Sequence, residues 1–114
     1  MPKDDLVYLQ NMLEIALKAV NKTRDLTKTE YERDENLQLA LAHLIQIIGE
    51  AARRVSERTT GKHPEIPWSN IIGMRHKVVH DYLELDEDII WDVVTADLPK
   101  LIKQLVELIP REES

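Results

Sequence analysis

The sequence contains no cysteine and no phenylalanine, only 3 glycines, and an aromatic share of 4%. Without cysteine there is no disulfide framework, no thiol nucleophile and no cysteine-based zinc site. With so few aromatics, Leu, Ile and Val must build the interior, which favours helix packed on helix over a β-sandwich. Long hydrophobic runs are missing too: stretches such as Leu44 to Ile48 fall far short of a membrane span. The opening Met1-Pro2-Lys3-Asp4-Asp5 turns acidic at once and has no apolar signal-peptide core, so a soluble, cytoplasmic protein is expected, with no membrane partner. What is present is enough for a core. The 114 residues are 43% hydrophobic, which argues against disorder and fits a single helical domain over residues 1–114.

Positive charge is scarce overall, with a net charge of -6, which argues against a protein that coats nucleic acid non-specifically. The average conceals an asymmetry. From Ala51 to His80 there are six basic residues and two acidic ones, a balance of +4, while the rest of the chain sums to -10. The same segment holds His63, His76 and His80, three of the four histidines. One basic pole on an acidic body suits a focused anion site, although a solvated helix face would carry the same residues.

Hydrophobic spacing predicts an all-α four-helix bundle with a short extra helical turn and a kinked last helix. Leu6, Leu9, Leu13, Leu17 and Val20 recur by threes and fours, giving a first helix to about Arg24 with acids at its positive end. Thr27-Lys28-Thr29-Glu30 has the form of a capping box and predicts the short turn. Asp34 is placed to cap a long helix from Glu35 to about Thr59, with Leu37, Leu41, Leu44, Ile48, Ala52 and Val55 as its seam. Leu39 and Ile47 lie off that seam and predict a second, partly apolar face. Pro67 starts a third helix running toward His80, and Asp86 caps a fourth. Pro99 lies inside the fourth pattern and should kink it or restart it with Asp97 as a new cap. Gly49 and Gly73 fall inside helices, where close approach of another backbone would explain them.

The third helix ends in Gly73-Met74-Arg75-His76-Lys77-Val78-Val79-His80-Asp81-Tyr82, an unusual concentration of reactive side chains. If the helix ran on, Arg75 and Tyr82 would share one side, as would His76 and His80, with about 140° between Arg75 and His80. A guanidinium fork beside an imidazole suits phosphodiester chemistry, since one neutralises charge on phosphorus and the other moves a proton near neutral pH. The same residues also fit a structural role, with Arg75 paired to a residue such as Glu50 and a histidine at the helix C-terminus. A zinc pair at His76 and His80, completed by Asp81, Glu84 or His43, is a rival chemistry, disfavoured by the adjacent Arg75 and Lys77. Trp68 could stack a base or, following Pro67 at a helix start, plug the bundle end.

The segment Arg75-x4-His80-x-Tyr82 resembles the signature of the HEPN superfamily, in its HepT-type toxin branch. Further similarity lies in Leu41 to Ala52, in Ile66-Pro67-Trp68 with Ile71 to Arg75, and in Asp97 to Leu101, so it spans nearly the whole chain. His76 stands where that branch commonly has asparagine, which leaves the role of His76 open. The resemblance implies a metal-independent endoribonuclease, the toxin of a toxin–antitoxin pair, with no cofactor. It implies catalytic residues Arg75 and His80, with His76 and Lys77 supporting substrate binding, in a cleft shared by a homodimer that could enter a larger hetero-oligomer. It further implies that a nucleotidyltransferase antitoxin attaches AMP to Tyr82. The alternatives are a non-catalytic HEPN-like module that binds nucleotide or protein, and a structural dimerisation bundle.

Overall fold

A computed structural model of the chain describes residues 1–79 and 84–110. Every regular element among them is helical. The elements are α1 (Lys3–Thr23), α2 (Lys28–Glu32), α3 (Glu35–Arg54), α4 (Glu57–Thr60), α5 (Trp68–Val78), α6 (Glu87–Asp92) and α7 (Leu98–Leu108), the last two joined by a π-helical turn, Val93–Asp97. Counting α6, the π turn and α7 as one run gives the four long helices that the hydrophobic spacing predicts. Helix α1 packs on α3 and α7, and α3 carries α5 on its other side.

The local signals act as expected at most starts. Thr27 Oγ1 accepts from the Glu30 N–H at 3.1 Å while Glu30 returns a carboxylate oxygen to the Thr27 N–H at 3.0 Å, a complete capping box on α2. Asp34 accepts from the Leu37 N–H, and Asp86 from the Ile89 N–H, capping α3 and α6. The turn of α2 carries Tyr31 into the core, where its hydroxyl donates to the Glu87 carbonyl at 2.8 Å and its ring meets Trp91. Trp68 does pack against the core at the start of α5, its Nε1–H donating to the His63 carbonyl.

The first helix is turned relative to the predicted seam. Its buried apolar line is Leu9, Met12, Ala16 and Ala19, while Leu17 is 45% exposed. Two alanines let α1 lie close against its neighbours, and that contact decides the rotation more than the bulk of the leucines.

Helix α3 stops at Arg54, five residues before the predicted end near Thr59. The break has a tertiary cause. Asp5 of α1, 3% exposed, accepts from the Ser56 N–H at 3.0 Å, the Ser56 hydroxyl at 2.5 Å and the Thr59 hydroxyl at 2.6 Å. Burial pushes this carboxyl up, and the bonds from Ser56 and Thr59 outweigh it, holding it below its ordinary range. The chain turns out at Val55 and restarts as the single turn α4.

Pro99 leaves the last helix continuous without recruiting Asp97 as a cap. Asp97 keeps helical angles and makes no side-chain cap bond. Proline has no N–H for the Thr95 carbonyl and its ring would strike that oxygen, so the ladder widens into the π turn just before it. The buried stripe survives the disturbance through Ile90, Val93, Val94, Leu98, Leu101 and Leu105.

Candidate functional site

Helix α5 also ends earlier than the spacing predicts, at Val78 instead of near His80. Two β-branched residues in succession weaken the helix, and an alternative partner exists. Val79 is extended and bridges Leu85 in antiparallel fashion, and the Asp86 N–H donates to the Val78 carbonyl at 3.0 Å. The helical projection that set Arg75 against His80 and Tyr82 therefore stops applying at Val79. His80 and Tyr82 themselves lie outside the described residues, as does Asp81.

Arg75 sits in the last turn of α5 with its side chain 30% exposed. It crosses α3 over Gly49 and donates from Nη1 to Glu50 Oε2 at 2.5 Å. The crossing needs the glycine. A β-carbon at Gly49 would stand 2.7 Å from Arg75 Cγ and 3.2 Å from the Ile71 carbonyl oxygen. Close approach thus explains Gly49, as expected. At Gly73 the same test finds nothing within 4 Å among the described residues, so the close-approach expectation fails inside the chain there.

Glu50 is the hub of the arrangement. Besides Arg75 it accepts from Arg53, through Nη2 at 2.7 Å and Nε at 3.2 Å, and from Arg54 Nε at 3.1 Å. The hydrogen bonds from Arg53 and then Arg54 pull its carboxyl down to about 2. It stays ionised throughout the neutral range, and among the described residues it is the one carboxylate paired with these three guanidiniums, a surplus of two positive charges. The pair that gives Arg75 a structural partner also fixes where its remaining N–H donors lie. Arg53 and Arg54 were not singled out in the sequence as site residues. The signal was available, since Glu50 precedes them by three and four residues on one helix.

Arg75 and Glu50 line an open groove of about 450 Å³ with Gln46, His76 and Val79. The structure therefore brings Arg75 and His76 to one surface. Lys77 is exposed and stands outside that lining. Chemically the groove offers a pinned bidentate donor for a phosphoryl oxygen and an accessible imidazole beside it. Among the described residues no group of three or more His, Asp or Glu converges as a metal site would require, and no helix is long and apolar enough to cross a membrane. His80, which would share a zinc pair with His76, lies outside them.

Comparison with known proteins places this geometry in context. Residues 12–108 match the family described as ribonuclease HepT-like. A Methanocaldococcus jannaschii protein named as a candidate RNase is 34% identical over 110 residues, covering 96% of this chain and 91% of that protein. A Caldanaerobacter subterraneus protein, also named as a candidate RNase, is 29% identical, with 93% and 95% covered. A Thermococcus cleftensis protein named probable ribonuclease HepT is 32% identical over 94 residues, with 82% and 86% covered. No solved structure matches the chain.

Proposed function

This chain belongs to the ribonuclease HepT-like family, and on that footing we propose that it is a metal-independent endoribonuclease acting as the toxin of a toxin–antitoxin pair. The observation that carries the reading is the fixing of Arg75 by Glu50 at the edge of an open groove that also holds His76. A phosphodiester is bound best by a donor fork whose position is already set, because no side-chain ordering is then required in the transition state.

The RNA 2′-hydroxyl attacks the adjacent phosphorus, its proton passing to a histidine base. The P–O5′ bond breaks, the 5′-oxygen takes a proton from a histidine acid, and a 2′,3′-cyclic phosphate remains. His80 performs one of these transfers, and the partner copy's equivalent supplies the other. Arg75 holds the non-bridging oxygens, His76 assists from the groove, and Lys77 adds positive charge from outside it. A homodimer assembles the two motifs. No described residue comes within 4 Å of where a β-carbon on Gly73 would stand, on the same helix as Arg75, and this supports the reading, because a helix of a second copy can approach closely there. Doubling the basic pole also reconciles RNA binding with an acidic chain.

Neutralisation follows from the same chemistry. A nucleotidyltransferase antitoxin transfers AMP from ATP to the Tyr82 oxygen, the phenol proton being lost and pyrophosphate leaving, and the added negative phosphate competes with RNA for the basic cleft. The test is incubation of the purified chain with RNA in EDTA. Cleavage leaving 2′,3′-cyclic phosphate ends, lost in Arg75→Ala and His80→Ala, is the expected result, and undiminished cleavage by His80→Ala overturns the assignment. For the second half, co-expression with the nucleotidyltransferase and ATP should add adenylyl mass at Tyr82; an unmodified tyrosine in a neutralised complex refutes it.

A further inference from the structure

A second hollow lies on the far side of Glu50. It is a groove of about 460 Å³ between α1 and α3, within the range of about 300–1,000 Å³ typical of small-molecule sites. Its walls are the half-buried Tyr8 and Ile15 of α1 and Ile47 of α3, with Arg54 at one edge. Gln46 and Glu50 line both this hollow and the groove that holds Arg75, so the two adjoin along a ridge made by those side chains. On that ridge Glu50 binds Arg54, on the α1 side, and Arg75, on the α5 side. Glu50 first, and the Tyr8 hydroxyl with it, hold the Arg54 guanidinium firmly charged. Contacts thus run from Arg54 through Glu50 to Arg75, and Tyr8 lines the groove that Arg54 borders.

We propose that the α1–α3 groove is a nucleotide subsite, taking the base and phosphate of a nucleotide beside the scissile one in single-stranded RNA. The inference rests on the ribonuclease reading and adds to it where the strand runs. A strand held by Arg75 and continuing over the Glu50 ridge meets a second guanidinium, Arg54, and then an apolar slot. Unstacked bases are held by stacking on aromatic rings and guanidinium planes, and Tyr8 and Arg54 offer one of each. Asn11 and Gln46 bring amides to the lining, and His43 an imidazole, groups suited to the edge of a base. A strand of one charge is favoured over a second copy of the chain by the surplus positive charge around Glu50 and by continuity with the Arg75 groove. The acid Glu14 also lines the groove.

The experiment compares steady-state cleavage of a single-stranded oligoribonucleotide by the wild-type chain, Tyr8→Phe and Tyr8→Ala, with an abasic nucleotide moved through the positions flanking the cut. Tyr8→Ala should raise KM about tenfold, and Tyr8→Phe, which keeps the ring and loses only the hydroxyl beside Arg54, should raise it by a smaller factor. One abasic position should raise KM of the wild type by a similar factor, and Tyr8→Ala should add nothing at that position. That abasic scan reads the subsite in the unaltered protein, whatever the variants do to folding. Cleavage by the wild type with no abasic position and no Tyr8 variant altering KM overturns this inference alone. Loss of the dimer in Tyr8→Ala, with the abasic scan flat, assigns the groove to a second copy and also overturns it. Intact RNA with the wild-type chain removes the ribonuclease reading and the subsite together.

Discussion

Arg75 can reach Glu50 only because residue 49 is glycine: Arg75 Cγ lies 2.7 Å from where a β-carbon on Gly49 would stand. A glycine that costs α3 about 1 kcal/mol of helix propensity is thereby converted into the position of a guanidinium. In Gly49→Ala the restored propensity of about 1 kcal/mol only partly offsets overpacking of about 1–3 kcal/mol, so the melting temperature should fall by up to about 10 °C without loss of the fold. Cleavage should fall by about tenfold or more, because displacement of a positioned group by an ångström is enough to cost that much. A variant that melts normally and cleaves like the wild type would detach Gly49 from the site.

Glu50→Gln should separate binding from turnover. Removing one negative charge from a cluster of three guanidiniums strengthens attraction for RNA, so KM falls and its salt dependence steepens. The amide no longer pins Arg75 as an ion pair, so kcat falls as well. Kinetics at several salt concentrations would show the two moving in the same direction, and a raised KM would contradict the charge argument.

The pH dependence of the clamp follows from the same carboxyl. Glu50 has an ordinary value of 4.5 and is held at about 2 in the folded chain. Below 4.5 the unfolded chain takes up a proton that the folded chain refuses, so the contribution of Glu50 to stability is full above 4.5 and declines as pH falls toward 2. Carbon-detected NMR titration of the Glu50 carboxyl should show its midpoint near the lower value. A midpoint at 4.5 would mean Arg53 and Arg54 are not bound to it in solution.

Asp5→Ala should destabilise the fold while sparing the chemistry. The buried carboxylate is the acceptor for the Ser56 N–H and for two hydroxyls, and its removal strands those donors at a cost of about 2–3 kcal/mol. Denaturant unfolding should report that loss, and RNA cleavage at low temperature should be retained. An unchanged midpoint would show that the break between α3 and α4 has another cause.

The elements that could be read ahead of the structure are those whose causes are close by in sequence. Thr27 and Glu30 close a capping box within four residues, Asp34 and Asp86 cap the helices that begin beside them, and leucine spacing places the long helices. Arg75 and His76, which share a groove, stand in a local run of charge and histidine, while Arg53 and Arg54 around Glu50 were passed over. The errors fall where a contact from outside the helix intervenes. The end of α3 depends on Asp5, some fifty residues earlier, and the end of α5 on Leu85 across a bridge.

Composition and periodicity were sufficient for an all-helical chain with a basic segment, because capping bonds and amphipathic faces form between near neighbours. Which face of α1 turns inward, why residue 49 has no side chain, and how Arg75 of α5 joins the Glu50 carboxylate of α3 were settled only when the helices packed. Those outcomes depend on contacts between segments whose separation along the chain leaves no periodic trace.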